Sequence, residues 1–534
     1  MAVRLCSGMS PEPDGSPTAA ASPWPAPLAA LAVLSVGLWA IGAAPAGVFY
    51  DDGIYLTLGR ALSLGEGFRY LNLPGAPAAI HYPPGYPTLL AICWWLGGDL
   101  PQVLLLAKVL NAALMAASAG GLVWLLSVAR ASAPLAAVGF VAGALAVPVL
   151  AVSTIPFSEP MFLALLVGAA ITTDRAAQEN AGIRSQALAG LNWGALFLVR
   201  SVGAVIFPVG LYILVRRSGR RAAAIAAATA LAVASPWILW SARHASEVPP
   251  ILSGSYGSYA GWYAESVSAE GAGLIGRIAG HNLGELLRPL GVLLAPPGPT
   301  WLGWLVIPAG VVILAFGLRA LARASGVLAG TLGLYLLTVI LWPYPPDRFV
   351  WGVWPAITAA LALGFGELWR ARREAPAHRG AATALLALGV TGVAGYAIRE
   401  GRGLAHRSWE APQSAGAAAM EPILRWVRAH APADALVATE NDPLLSLYSG
   451  RTAVPVLAWT AAEHVRPQTA QQAEANLLKI QAQFSPALII MPGGGTPEAV
   501  AVERMWREEK RLELVDTLPG GGAVFRPARP ESPR

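Results

Sequence analysis

VFYDDGIYLTLGRALSLGEGF, residues 48-68, follows directly on an apolar run at residues 28-47 and sets two adjacent carboxylates, Asp51 and Asp52, at its end. A charged pair at the end of an apolar segment marks the rim of a membrane span, because acids are costly inside the bilayer and are free to ionise just outside it. A bilayer core of about 30 Å takes roughly 20 apolar residues per helix, and stretches near that length recur from Leu28 to Ile398. They fall at about 28-47, 102-126, 133-151, 157-173, 186-199, 202-215, 222-241, 301-318, 325-342, 349-368 and 381-398, eleven in all.

Composition agrees. Of the 534 residues, 55% are hydrophobic and 13% charged, against about a quarter charged in a soluble domain, and the mean hydropathy is +0.53. The net charge of +6 is carried almost wholly by arginine, with lysine only at Lys108, Lys479 and Lys510. No Lys/Arg block sits on an aromatic-studded polar segment, so nucleic acid is not an expected partner. Cys6 and Cys93 are too few and too far apart for a disulfide framework or a thiolate metal site.

An odd number of spans puts the two ends of the chain on opposite sides, and basic residues choose which. Arg130, Arg175, Arg184, the run Arg216, Arg217, Arg220 and Arg221, then Arg319 and Arg323, then Arg370, Arg372, Arg373 and Arg379 fall in alternate loops, which are expected to be cytoplasmic. The other loops, 48-101, 152-156, 242-300, 343-348 and the tail from about 399, are expected outside. The spans 186-199 and 202-215 are short and joined by Arg200-Ser201, so a tilted pair and a re-entrant hairpin both fit, with the same parity. Segment 86-97, YPTLLAICWWLG, is too short to cross and follows Pro83-Pro84; it reads as an interfacial helix with Trp94 and Trp95 at headgroup level.

The leader 1-27 is rich in Pro, Ala and Ser and is expected to be disordered and cytoplasmic. A cleaved signal peptide is the rival reading, disfavoured because the polar leader is long and the apolar run is nearer a full span. Past Ile398 the composition turns polar. Apolar bursts at 435-439 (ALVAT), 487-491 (ALIIM) and 522-525 (GAVF) alternate with helical patterns at 417-430, 467-483 and 497-510, so 399-534 is expected to be a small extracytoplasmic α/β domain. Ile423, Trp426, Val427 and His430 share the face that would pack on its sheet. The PGGG at 492-495 matches no phosphate-loop pattern and reads as a turn.

If the adjacent acids Asp51 and Asp52 are buried, both cannot comfortably ionise, and one with a raised pKa would suit proton abstraction. Taken alone, the pair reads equally as solvated loop acids or a helix cap. The first span, the acid pair, YPPGYP at 82-87 with a short apolar helix, PFSEP at 156-160, SPWILWSARH at 235-244 and DRFVWGVWP at 347-355 together resemble the GT-C glycosyltransferases. The branch is that of the protein O-mannosyltransferases and lipid A aminoarabinose transferases. The resemblance covers about 28 to 400 and lies more in layout than in any one motif. It implies a mostly α, polytopic GT-C fold over 28-398, with loops 48-101 and 242-300 outside. It also implies an inverting transfer of a hexose or pentose from a polyprenyl-phosphate donor to a hydroxyl of a protein, lipid or glycan, at the outer face of a bacterial inner membrane.

Carried over residue by residue, the family's catalytic loop acid falls on Asp51, the expected general base, and Asp52 takes the neighbouring acidic position. Glu159 matches a second acidic position; its plainer reading is a helix N-terminal acid favoured by the macrodipole. Arg348 matches an arginine at the start of a late span, where a lipid phosphate is expected, although Phe349 stands where relatives have tyrosine. Arg200 and Arg243 are further candidates to hold the departing phosphate, or they snorkel to headgroups. Lys108 lies about two turns inside a span; it binds phosphate if it faces a cavity and snorkels if it faces lipid. His81, Tyr82, Tyr256, Tyr259 and Trp262 are candidate substrate contacts, with the interface as the alternative for the aromatics. No cofactor is assigned. A divalent metal on Asp51, Glu159 and His244 is a weak possibility, since no ligand spacing such as HExxH occurs.

Two other classes bear comparison. A secondary transporter also has many spans and few intramembrane charges, but not an odd span count with a long first loop and an outer domain. A non-catalytic polysaccharide assembly protein would share the fold without the acids.

Overall fold

The computed structural model describes residues 24–129, 131–294 and 300–528, with side chains left aside at 288–294 and at Thr300. Arg130, Cys6 and most of the expected leader lie outside the described residues.

The chain opens with α1 (Pro25–Ala40), which stops short of the expected residue 47. Gly42 and Pro45 follow; proline offers no N–H and biases the residue before it away from helix. The loop 48-101 carries α2 (Asp51–Ser63) and α3 (Gly85–Gly97). Trp94 of α3 donates to the carbonyl of Leu56, and Trp95, two-thirds exposed, donates to that of Ser63. These two bonds tie α3 to α2.

Then come α4 (Leu100–Val128), the pair α5 (Ala133–Ala144) and α6 (Val147–Ser153), α7 (Glu159–Ala176), α8 (Ile183–Val199) and α9 (Ile206–Arg243). The pair α5 and α6 bends by 73° at its break, next to Pro148. In α9 the two expected spans 202-215 and 222-241 meet at Gly219, whose φ of 86° is open to glycine and unfavourable to other residues.

The loop 242-300, read from sequence only as a loop, contains α10 (Ser253–Tyr256), α11 (Tyr259–Glu270) and α12 (Gly273–Leu294). The last helices of the bundle are α13 (Thr300–Ala324), α14 (Gly326–Leu341), α15 (Pro346–Glu374) and α16 (Arg379–Ala405). The final helix runs past residue 398 because a helix can continue into water once its apolar stretch ends.

Five described helices are long and apolar enough to cross a membrane, six if the bent α5–α6 pair is one span. Each of the eleven expected segments falls on helix, several of them in shorter helices. The chain is a multi-pass membrane protein. One core joins α1, α4, α5, α7, α8, α9, α14 and α15. Helices cross closely where side chains vanish: a Cβ on Gly317 would collide with the carbonyl of Ala360, and one on Gly364 with that of Ile313.

Beyond α16, α17 (Ala411–His430) leads into a five-stranded sheet. Its strands are β1 (Val437–Thr439), β2 (Ala453–Pro455), β3 (Leu488–Met491), β4 (Leu512–Leu518) and β5 (Gly522–Pro527), in the order β2-β1-β3-β5-β4. β1 is parallel to β2 and β3, while β5 is antiparallel to β3 and β4. The helices α18 (Asp442–Ser449), α19 (Ala470–Phe484) and α20 (Pro497–Arg507) connect the strands. The three apolar bursts are β1, β3 and β5. β2 and α18 went unread because both are short, and β4 because its outward residues are polar. On α17 the buried face is Met420, Ile423, Leu424 and Val427; His430 is exposed and Trp426 sits at the edge. A second core runs unbroken from Ile54, Tyr70, Tyr82 and Tyr86, through Phe157 and Tyr256, to Ala438, Val454 and Ile489 of the sheet. The α/β unit is therefore packed directly onto the loop after α1.

Candidate active site

At the end of the bundle beneath the sheet lies a cavity of about 610 Å³. Asp51, His81, Tyr82, Arg200, Tyr259 and Arg348 line it from the bundle side, and Glu440, Pro455, Leu457 and Trp459 from the α/β unit. The elements that deliver the charged groups are well tied. In α4, Asn111 donates to the carbonyls of Ile155 and Phe157, fixing the turn that ends in Glu159, and Tyr86 of α3 bonds to Asn111. Tyr335 of α14 donates to the carbonyl of Phe349, which holds the first turn of α15.

Arg348 joins two carboxylates that are 108 residues apart in sequence. Its Nη1 donates to Asp51 Oδ2 at 2.6 Å and its Nε to Glu159 Oε1 at 2.8 Å. Arg200 Nη1 lies 2.7 Å from the same Glu159 oxygen and also donates to Ser158 Oγ. Both guanidinium groups sit over rings, Arg348 at 3.9 Å from the centre of Phe157 and Arg200 at 5.0 Å from that of Phe349. Within this ionic group one donor and one acceptor are unpaired among the described residues: Arg348 Nη2 and Glu159 Oε2 are buried with no hydrogen-bond partner.

Asp51 is further held by Tyr82, whose hydroxyl donates to Oδ1 at 2.7 Å. Burial disfavours its charge, but Arg348 and the Tyr82 hydroxyl more than offset this and hold its carboxyl below the usual range. Asp52 behaves in the opposite way. It is fully buried and turned back on the chain, accepting from the backbone N–H of Gly47 at 2.5 Å and of Phe49 at 3.0 Å, and burial pushes its pKa up to about 6. Successive helical residues diverge by about 100°, so one of two adjacent acids at the start of α2 faces the cavity and the other cannot. The expectation of a second cavity carboxylate at Asp52 is corrected: its oxygens cap the backbone.

His81 lines the cavity, buried, with Nδ1 2.6 Å from the carbonyl of Gly257 and its ring 3.8 Å from that of Tyr259; burial pulls its pKa down to about 4. Tyr82 and Tyr259 are at the cavity as expected. Glu159 is not itself a lining residue, standing behind Arg348 and Arg200, and four further candidates do not line the cavity. Lys108 donates to the carbonyls of Gly42 and Ala44, closing the end of α1. Arg243 is exposed at the end of α9. The Tyr256 hydroxyl is taken by Asp442 and Asn72. Trp262 donates to the carbonyl of Trp459 and packs against Tyr344. Lys108, Tyr256 and Trp262 thus satisfy nearby polar or apolar groups, a demand that sequence pattern does not display.

The weak metal reading does not fit. Arg348 stands between Asp51 and Glu159, His244 is paired with Glu247 at 2.5 Å, and no group of three or more His, Cys, Asp or Glu converges among the described residues. The sequence reading missed Tyr55, Trp342, Tyr344, Glu440 and Trp459, which also line the cavity. One signal was available: TEND at 439-442 follows β1, and ligands gather at the carboxyl ends of parallel strands.

No protein-family model and no curated protein sequence matches the chain. Solved structures do. ArnT from Cupriavidus metallidurans, bound to undecaprenyl phosphate, is 14% identical, with a TM-score of 0.57 over 93% of this chain and 97% of that one. The archaeal oligosaccharyltransferase AglB from Archaeoglobus fulgidus, in complex with an inhibitory peptide and a dolichol-phosphate, is 12% identical, with a TM-score of 0.50 over 88% and 69%. An Archaeoglobus fulgidus oligosaccharyltransferase in complex with Zn and sulfate is 14% identical, with a TM-score of 0.53 over 94% and 73%. The likeness is one of fold: the chain has the GT-C architecture that the sequence resemblance implied.

Proposed function

We propose that this chain is an inverting glycosyltransferase that moves a hexose or pentose from a polyprenyl-phosphate donor to an acceptor hydroxyl at the outer face of a bacterial plasma membrane. In this reading 1-27 is a cytoplasmic leader, 28-398 the catalytic membrane domain, and 399-534 an outer domain. One observation carries the proposal: an Asp51–Arg348–Glu159–Arg200 ionic chain whose Asp51, Arg348 and Arg200 line a large cavity at one end of the bundle, with Nη2 of Arg348 unpaired. A fixed guanidinium suits the phosphate of a lipid carrier, since arginine stays charged and pairs with phosphate oxygens through several N–H groups.

Asp51 is the general base. The acceptor oxygen attacks the anomeric carbon, its proton passes to the Asp51 carboxylate, and the bond from that carbon to the phosphate oxygen breaks with its electrons kept by the phosphate. Attack opposite the leaving group inverts the anomeric carbon. Arg348 and Arg200 stabilise the phosphate charge as it grows. The same arginine connects binding to basicity. While Arg348 holds Asp51, the carboxylate is ionised but weakly basic; a phosphate that draws on Arg348 weakens that hold and raises the affinity of Asp51 for a proton. Glu159 keeps the two arginines in place. His81, neutral at pH 7 by its lowered pKa, and Tyr259 border the region that the sugar occupies. No step requires a metal.

The test is to incubate purified protein with radiolabelled undecaprenyl-phosphate hexoses and pentoses and a membrane extract as acceptor. One sugar is expected to leave its lipid and appear on acceptor with inverted anomeric configuration. Loss of label from none of them, or retention of configuration, overturns the proposal.

A further inference from the structure

The segment that presents Asp51 is under strain. Tyr50 has φ 68° and ψ −67°, in a tight γ-turn closed by a 2.8 Å hydrogen bond from the Asp51 N–H to the Phe49 carbonyl. That turn is unfavourable for a bulky residue, and it persists only where the surroundings over-determine it. Within the loop, Asp52 caps Gly47 and Phe49. Phe49 packs on Phe157 and Tyr50 on Tyr256, and the other side-chain hydrogen bonds to residues 46–50 come from the α/β unit, nearly 400 residues later.

Asn441 Nδ2 donates to the carbonyls of Gly47 at 2.9 Å and Val48 at 3.2 Å. The hydroxyl of Tyr448, one side of α18, accepts from the Ala46 N–H at 3.1 Å. α18 also presses on the loop: a Cβ on Gly47, whose φ is 91°, would come within 3.3 Å of Leu444, and one on Gly53 within 3.1 Å of Pro443. Behind the turn, buried Asp442 accepts from Asn72 at 2.9 Å and from Tyr256, which stacks edge-on against Tyr50. The hydrogen bonds of Asn441 and Tyr448 and the Leu444 contact all fall within the five residues before the proposed base, and the Pro443 contact falls just after it at Gly53.

We infer that Asn441 and Tyr448 are positioning residues, holding residues 46–50 in their strained turn so that the α/β unit aims the Asp51 carboxylate at the cavity. This rests on the reading of Asp51 as the base. The unit is then more than a lid, since without its grip the turn relaxes and Asp51 leaves its register with Arg348 and Tyr82. A displacement of about 1 Å in a reacting group can lower turnover roughly 100-fold.

The experiment uses the full chain in detergent with Asn441→Asp. Aspartate keeps the cap that Asn441 gives to the Leu444 N–H, but replaces the two donated hydrogen bonds with an acceptor facing two carbonyls. Amide hydrogen exchange over residues 46–51 is expected to speed up at least tenfold. Turnover of whichever radiolabelled undecaprenyl-phosphate sugar the wild type uses is expected to fall by about tenfold to 100-fold, with KM for that donor within about twofold.

The pH profile adds a readout that a merely structural role would leave in place. Asp51 faces Arg348 and Tyr82 directly, with His81, Asp52, Tyr55 and Tyr259 around it. Loosened from Arg348, its acid limb moves to higher pH. Tyr448→Phe, which removes a single hydroxyl, is expected to show the same changes on a smaller scale and serves if the first variant fails to fold. Unchanged exchange in both variants overturns the inference, as does faster exchange with wild-type turnover and an unmoved acid limb. Wild-type turnover in Asp51→Asn instead removes the base reading, and the exchange result then stands separately.

Discussion

The two ends of α15 carry the same ionic unit in different surroundings. At its start Arg348 and Arg200 share one oxygen of Glu159, whose side chain is 3% exposed. At its far end Arg323 and Arg370 share one oxygen of Glu367, with both arginines more than half exposed. Composition and connectivity match; dielectric does not. At the far end water screens the charges and the unit is worth little. At the cavity the charges have lost much of their hydration, the triad reaches a fourth member in Asp51, and Nη2 of Arg348 is left without a partner. Burial separates the unit at the cavity, where the proposed function puts the lipid phosphate, from an ordinary surface salt bridge.

The largest test of that contrast is Asp51→Asn, which keeps shape and removes the base. Transfer from the undecaprenyl-phosphate sugar is expected to fall at least about 1,000-fold, on the scale of general-base losses, with the same amount of folded protein in the membrane; turnover near wild type would end the role. Next is Glu159→Gln. It leaves two buried arginines sharing a neutral amide, and is expected to cost about 3 kcal/mol of stability, read as a lowered thermal midpoint in detergent.

Arg348→Ala sharpens the same comparison through binding and pH. Donor affinity is expected to drop roughly 30-fold, the scale of a lost charged hydrogen bond pair, with acceptor KM changed far less; equal donor affinity would reassign Arg348 to structure. The sign of the pH effect follows from Asp51. Burial raises its pKa and Arg348 lowers it, with help from the Tyr82 hydroxyl, so removing Arg348 takes away the main opposition to burial. The carboxylate then protonates at higher pH, and the acid limb of kcat/KM moves upward. The smallest effect belongs to the far end: Glu367→Gln is expected to change stability by no more than about 0.5 kcal/mol and transfer not at all. A large loss there would erase the contrast.

The same contrast explains what the chain made legible. Asp51, Glu159 and Arg348 were singled out where the family resemblance falls on charges beside apolar runs; the three are joined in one ionic chain, of which Asp51 and Arg348 line the cavity and Glu159 stands behind. Lys108 and Arg243 were also charges in or beside apolar runs, and neither joins that chain nor lines the cavity. Lys108 found two carbonyls at the end of α1, and Arg243 faces outward. A charge at a span's end says that a residue sits near a membrane surface, but not what it touches there. Tyr256 and Trp262 show the same limit for aromatics, since both are engaged by the α/β unit instead of lining the cavity.

By itself the sequence determined the apolar helices, their alternation and the switch to an α/β pattern after them, because the cost of placing a residue in lipid, or the period of a packed face, is a local sum over neighbouring residues. Which of Asp51 and Asp52 points at the cavity was decided only by the fold, through a helical turn of about 100°. So were the partners of Arg348, Asp51 at 297 residues' separation and Glu159 at 189, and the grip of Asn441 on Gly47 at 394. Contacts at that range depend on how whole helices pack, and no window of sequence contains both partners.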